Sequence, residues 1–400
     1  MGVLDGIKIL SFNHFLSGPA AAQMLGDMGA DVIAIEGTTG AFQRNWAVAG
    51  HFVGETSVNH IATGRNKRSL AINLKDPDAL SVIRRLVETA DVVMENFRPG
   101  TLAKMGLSWE AMQAMNPGLI YATATGFGVD GPYRDRPGQD ILLQAMSGLA
   151  AHTGALDGAP VAVGSVPIDH HAASLYATGI LGALVRKLRT GQGGRVDVNL
   201  LQAALDLQGE SLTAWLNDAP RQGPRGDDGI ASWFSGAPYG IHKAKDGYLV
   251  ISMTSPGQLA KALDLPALAD LPADAVFTHK GAITRQVSAA IATQTIAEWL
   301  PRLTAADVWH EEVRDYDSLR ANPQIAHLGA LMEAKGADGT PMTMIAHPIR
   351  YDGEAVPLRL PPQPLGAQSR EILAEAGLSN PEIDALIARG AVAQTNKMRA

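Results

Sequence analysis

The chain has 400 residues, 46% hydrophobic and 18% charged, with 42 Gly and 23 Pro, a composition that excludes a disordered, fibrous or membrane-embedded protein. A formal net charge of -7 disfavours nucleic acid and anionic lipid as partners. With no cysteine, disulfides, thiolate nucleophiles, Cys-type zinc sites and iron–sulfur clusters drop out.

In chain order, residues 7–11 predict a strand, 19–28 a helix and 31–36 (Asp-Val-Ile-Ala-Ile-Glu) a second strand. The pattern returns with strands at 69–74, 91–95 and 119–125 and a helix at 78–89, so parallel α/β layering is expected, with ligands at strand-end loops. Apolar positions at helical spacing run from His170 to Leu188 and stop at Gly191-Gln192-Gly193-Gly194; a strand at 195–199 and a helix from Leu200 follow. Residues 220–229, rich in Gly, Pro and charge, read as a linker. The large domain is therefore set at 1–220 and a smaller α/β domain at 221–325, with a strand at 248–253 and helical stretches at 258–263 and 284–303. Two terminal helices are expected at 367–377 and 380–389. The longest uncharged apolar-rich run, Ala172 to Val185, is shorter than the ~18 residues of a membrane span. The N-terminus carries no secretory or myristoylation signal, so the expectation is a cytoplasmic protein with no membrane or nucleic-acid partner.

Between the first strand and helix stands Ser17-Gly18-Pro19, with the next glycines at 26 and 29, so the dinucleotide fingerprint is missing. No phosphate-binding P-loop and no nucleophile elbow occurs. His170 and His171 lack a partner at ligand spacing, and no metal site is expected. Six cations flank consecutive strands: Arg65, Lys67 and Arg68 before one, Lys75 after it, Arg98 and Lys104 after the next. They form either a solvated surface or a phosphate site in which Asn96 donates hydrogen bonds and Phe97 stacks on a base. Asp169, just before the apolar helix, reads as its N-cap, and the helix dipole there favours an ionised, nucleophilic carboxylate. Asp140, in Gly138-Gln139-Asp140, is either an exposed turn residue or a second carboxylate of the same site.

Taken in order and spacing, these segments resemble the class III CoA-transferase family, the group that contains formyl-CoA transferase and carnitine CoA-transferase. The likeness is carried by Leu4 to Leu10, Ser17-Gly18-Pro19, Leu25 to Ile33, Asn66-Lys67-Arg68-Ser69, Glu95 to Gly100, Gln144 to Gly148 and Gly191 to Val198. The resemblance implies a large Rossmann-like domain with a parallel sheet and a small α/β domain. It also implies that 326–400 return to the large domain and that two chains interlock as a homodimer. Asp169 would be the nucleophile, passing through acyl-anhydride and aspartyl-CoA states. CoA would lie along Phe15, Leu16, Ile72, Asn73, Lys75, Asn96, Phe97, Arg98, Lys104 and Met105. CoA and acyl-CoA would be substrates, with a small carboxylic acid as partner and no tightly bound cofactor.

The chain departs from formyl-CoA transferase in carrying Leu16 in place of a Gln at the acyl site, in lacking its glycine-rich lid in the 226–240 region, and in following Glu36 with Gly37 in place of an Arg. Arg44, Arg134 and Arg136 are candidate cations for a carboxylate acceptor, and the segments 42–52 and 233–239 carry aromatics that could line an acyl pocket. Two alternatives are a racemase of the alpha-methylacyl-CoA type and a CoA-binding module without turnover. The racemase needs a His where this chain has Gln139, which accepts no proton at neutral pH, so it would lack one base unless His152, His170 or His171 replaces it.

Overall fold

The computed structural model describes residues 2–219, 223, 225–226 and 229–395. Runs of Ile, Leu and Val form strands β1 (Lys8–Phe12), β2 (Asp31–Glu36), β3 (Lys67–Ile72), β4 (Val92–Glu95), β5 (Ile120–Thr125) and β6 (Gly194–Asn199). All pair in parallel. A short seventh strand, β7 (Val392–Ala393), adds to β3 antiparallel. The spatial order is β7-β3-β2-β1-β4-β5-β6. It reverses between β1 and β4, which opens a crevice beyond the carboxyl ends of those strands, where ligands of doubly wound sheets bind. Every residue of β5 is buried, as a parallel strand covered on both faces requires. Edge strand β6 turns Arg195 and Asp197 outward and pairs them at 3.0 Å.

Alternation along the strands sends Leu10, Ile33 and Leu70 to one face and Ile9, Val32 and Met94 to the other. The first face is covered by α2 (Pro77–Thr89) and by the terminal helices Ser369–Glu375 and Asn380–Ala388. The N-terminus of α2 is set by Asp76, whose carboxylate accepts from the amides of Asp78 and Ala79, and by Pro77 in the first turn. The second face is covered by α1 (Ser17–Asp27) and α3 (Pro167–Thr190). Small residues on both helices (Ala20, Ala21, Ala173, Ala177) let them lie close together on the sheet. α3 ends where Gly191 takes the left-handed conformation, φ 74°.

The described residues fall into two compact units, one drawn from 1–140, 166–204 and 323–400, the other from 141–165 and 205–322. Residues 141–165 and 205–219, read from sequence as part of the first domain, thus cluster with the second unit. That unit has a three-stranded antiparallel sheet of Gly240–Lys243, Tyr248–Ile251 and His310–Glu312. Its core is built on Leu249, Ile251, Ile283, Val287 and Trp299. The helical stretch expected at 284–303 is two helices, Lys280–Ile291 and Ile296–Ala305. Thr295 and Glu298 form a capping box that starts the second. The linker read at 220–229 lies mostly outside the described residues. No helix among the described residues is long and apolar enough to cross a membrane.

Candidate active site

At the switch point the β1 and β4 loops are tied by one side chain. Asn96 accepts from the His14 amide through Oδ1 and donates to the His14 carbonyl through Nδ2, both at 2.8 Å. The next residue, Phe15, has φ 60°, a conformation a bulky side chain rarely adopts. The clamp on both polar groups of His14 fixes the backbone just before that turn. Phe15 is thereby left exposed, with its ring 4.7 Å from that of His14 and 4.3 Å from that of Phe42, which in turn stacks on Trp46. Phe97 meets the other edge of His14 at 5.2 Å. Burial holds His14 below the usual imidazole range. Leu16 is half-buried and leads into α1.

The six cations divide into two groups. Arg65, Lys67 and Arg68 are structural, contrary to the phosphate reading. Arg65 is buried against Asp27, with its closest contact at 2.7 Å. Lys67 is buried, donates to the carbonyls of Pro19 and Thr63, and burial pulls its pKa down to about 7. Arg68 binds Asp31, Glu371 and Glu375. Lys75, Arg98 and Lys104 are exposed and form no ion pair among the described residues. They stand on the loops after β3 and β4 with Asn73, Phe97 and Met105. Ile72 ends β3 with its side chain fully buried in the core, so only its main chain can face a ligand. Glu36 and Arg44 bind each other with two contacts of 2.6 Å, which removes Arg44 as a free cation. Arg134 is turned onto the carbonyls of Val129 and Pro99. Arg136 lies over the Tyr133 ring at 4.5 Å. In the second unit Trp233 is buried, whereas Phe234 and Tyr239 are partly exposed.

Asp169 is not the N-cap of α3. The flanking residue is Val166, Pro167 opens the helix, and Asp169 lies in the first turn with its side chain available for other work. The capping carboxylate comes from Asp140, which is buried and accepts from the amides of Ile168 and Asp169 at 2.8 and 3.0 Å. The exposed-turn reading of Asp140 is therefore wrong. Two glycines deliver it. A Cβ on Gly138 would stand 2.4 Å from the Gly126 Cα, and one on Gly126 would stand 2.7 Å from the Gly138 Cα. The backbone leaving β5 thus crosses in direct contact with the backbone that enters Asp140.

Burial raises the Asp169 pKa from 3.8 to about 7, with the Asp140 charge adding to the effect. Burial and the Asp140 charge thus act against the acidifying effect expected of the helix dipole. Deeper in α3, the buried Tyr176 hydroxyl donates to the Ala122 carbonyl at 2.5 Å and accepts from the Glu95 amide at 3.0 Å. Asp169 lies seven residues earlier, roughly 10 Å further along the axis, which puts it at the carboxyl edge of the sheet. Glu95 itself was not singled out in the sequence. Burial pushes it up to about 7. Its Oε2 accepts from the Phe97 amide at 2.7 Å and its Oε1 from Tyr121, so it underpins the loop that carries Phe97 and Arg98.

The carboxyl edge of this doubly wound sheet thus carries exposed cations on the loops after β3 and β4 and a carboxylate pair at one helix N-terminus. The chain matches CoA-transferase family III over residues 4–369 and belongs to that family. It is 33% identical to the human succinyl-CoA:glutarate CoA-transferase over 93% of this chain and 85% of that protein. It is 34% identical to the succinate–glutarate CoA-transferase of Agrobacterium fabrum over 93% and 95%. Among solved structures, a CaiB/BaiF family protein from Brucella suis superposes with a TM-score of 0.80 at 28% identity, covering 94% of this chain and 99% of that one. The chain is thus an enzyme of the CoA-transferase class.

Proposed function

We propose that the enzyme moves CoA from an acyl-CoA to a carboxylic acid through covalent intermediates on Asp169. The observation that carries this reading is the position of Asp169: in the first turn of α3, beside Asp140, at the carboxyl edge of the sheet. The Asp169 carboxylate attacks the thioester carbonyl, the C–S bond breaks, and CoA leaves as the thiolate from a mixed anhydride. The thiolate then attacks the aspartyl carbonyl of the anhydride and expels the donor acid, giving an aspartyl-CoA thioester. The acceptor carboxylate attacks that thioester and again frees the thiolate. Attack of the thiolate on the new acyl carbonyl yields the product thioester and returns Asp169 as a carboxylate. A carboxylate raised to about 7 is a stronger nucleophile than an ordinary one and is substantially ionised at neutral pH.

CoA lies, in this reading, along Phe15, Leu16, Asn73, Lys75, Asn96, Phe97, Arg98, Lys104 and Met105, with the main chain of Ile72. Lys75, Arg98 and Lys104 face its phosphates. The interlocked homodimer implied by the resemblance belongs to the same proposal. Gln139, which has no proton-accepting nitrogen, argues against two-base racemization.

The test is intact-protein mass measurement of wild type and Asp169→Asn after exposure to acyl-CoA donors, beginning with succinyl-CoA because of the relatives' names, with a hydroxylamine trap. An aspartyl adduct on Asp169 that is absent from the variant supports the mechanism. No adduct from any donor that turns over contradicts it.

A further inference from the structure

We propose that Asp140 is a positioning residue for the transfer reaction, fixing Asp169 by holding the first turn of α3 and setting a carboxylate charge beside it. This rests on Asp169 being the nucleophile. The geometry is specific: one oxygen, Oδ2 of Asp140, accepts from both Ile168 and Asp169, so the cap grips the peptide unit of the residue it serves. A helix N-terminus normally lends its amides and partial positive charge to nearby carboxylates and makes them more acidic. Here an outside carboxylate occupies those amides, opposing the positive end of the helix at the point where Asp169 stands.

Capping alone does not require a charge. Ser, Thr or Asn at Val166 would satisfy an amide from within the helix's own segment, yet that position is Val and the cap arrives from another element through the Gly126–Gly138 crossing. What the borrowed Asp adds over a local hydroxyl is its charge. Other ionisable groups on the surrounding elements are arranged differently. α1 ends in Asp27, which is bound to Arg65. β5 carries no charged residue, and the Arg195 and Asp197 of β6 pair with each other. Glu95 of β4 lies two turns down α3 beside Tyr176, and on α3 itself His170 and His171 are the neighbours.

The experiment is the pH dependence of adduct formation in a single turnover, quenched and weighed as intact protein, for wild type, Asp140→Asn, Asp140→Ser and Asp140→Glu. Wild type should form adduct with a midpoint near pH 7. Asp140→Asn keeps an acceptor oxygen without the charge and should move the midpoint down by about one pH unit. The KM for the CoA ester should stay within about twofold, because Asp140 is not on the CoA loops. Asp140→Ser, a good cap without charge, should show the same shift and serves if the Asn variant does not fold; Asp140→Glu should restore the wild-type midpoint. A cap with no electrostatic role would slow every pH equally, and an adduct with an unmoved midpoint in both neutral variants overturns this proposal alone. Absence of adduct in wild type removes the aspartyl mechanism and this proposal with it.

Discussion

A carboxylate held near neutrality by its surroundings affects stability as well as reactivity. Asp169 is taken from 3.8 to about 7 by burial and by Asp140. Because its folded value is the higher one, the stability linked to this group is fully present below pH 3.8 and is lost as pH rises through about 7. Asp169→Asn removes that loss. At pH 8 the variant should resist urea better than wild type, by at most about 4 kcal/mol at roughly 1.4 kcal/mol per pH unit, and the two should converge near pH 4. Transfer activity should run oppositely, with kcat/KM of wild type falling below about pH 7 as Asp169 protonates. The cations give a second prediction at this scale. Replacing Lys75, Arg98 or Lys104 by Ala should raise the KM for the CoA ester several-fold at low salt, with the difference shrinking as ionic strength rises. Replacing Arg65 by Ala should instead lower the melting temperature, since the buried Asp27 would lose its guanidinium partner and keep only Asn66 and His347. Melting curves and salt-dependent kinetics separate the two groups.

At the scale of elements, α3 runs from the core to the carboxyl edge of the sheet, where Asp169 stands. Tyr176 is fully buried, and its hydroxyl is bonded to β4 and β5 at once. Tyr176→Phe should therefore destabilise the protein by about 1–3 kcal/mol through unpaired main-chain groups, read as a lower urea midpoint with unchanged m. The strands and helices that form this frame were legible because their apolar periodicity is long and unbroken: β1, β2, β5, α2 and α3 fall within a few residues of expectation. Features set by one residue were not. Thr295-Ile296-Ala297-Glu298 carries a capping box that splits a helix, but the apolar pattern runs straight through it. β7 is two residues long, too short for periodicity to register. Asp169 was read as a cap because it precedes an apolar run. The true cap, Asp140, is distant in sequence and reaches α3 from beyond a Gly126–Gly138 backbone crossing that no local pattern reveals.

Across the whole molecule, charge counted along the sequence was a poor guide to which charges are free. Arg65, Lys67, Arg68, Glu36 and Arg44 all lie in loops or strand ends that look exposed, and all are consumed internally; segments from the C-terminal part of the chain supply partners to Arg65, Arg68 and Arg44. Asn66, with φ 55°, is central to that return. Its Oδ1 accepts from the amides of Arg359 and Leu360, its Nδ2 donates to Asp27, and its own amide donates to the Leu360 carbonyl. The Arg359 guanidinium in turn binds the carbonyls of Gly26, Gly29 and Ala30. Asn66→Ala should cost about 2–4 kcal/mol by leaving several buried groups unpaired and should speed proteolysis around residues 357–360, with the KM for the CoA ester little changed.

The central claim, that the acyl group and the acid meet on Asp169, is tested most directly by following oxygen. In the anhydride route one oxygen of the acceptor acid must remain on Asp169 when the product thioester departs. Turnover with an acceptor carboxylate carrying heavy oxygen, followed by digestion and weighing of the peptide that contains Asp169, should show that peptide heavier by the label and every other peptide unchanged. An unlabelled Asp169 peptide after many turnovers would mean that the acceptor attacks the thioester without the protein's carboxylate, and the covalent account would fail.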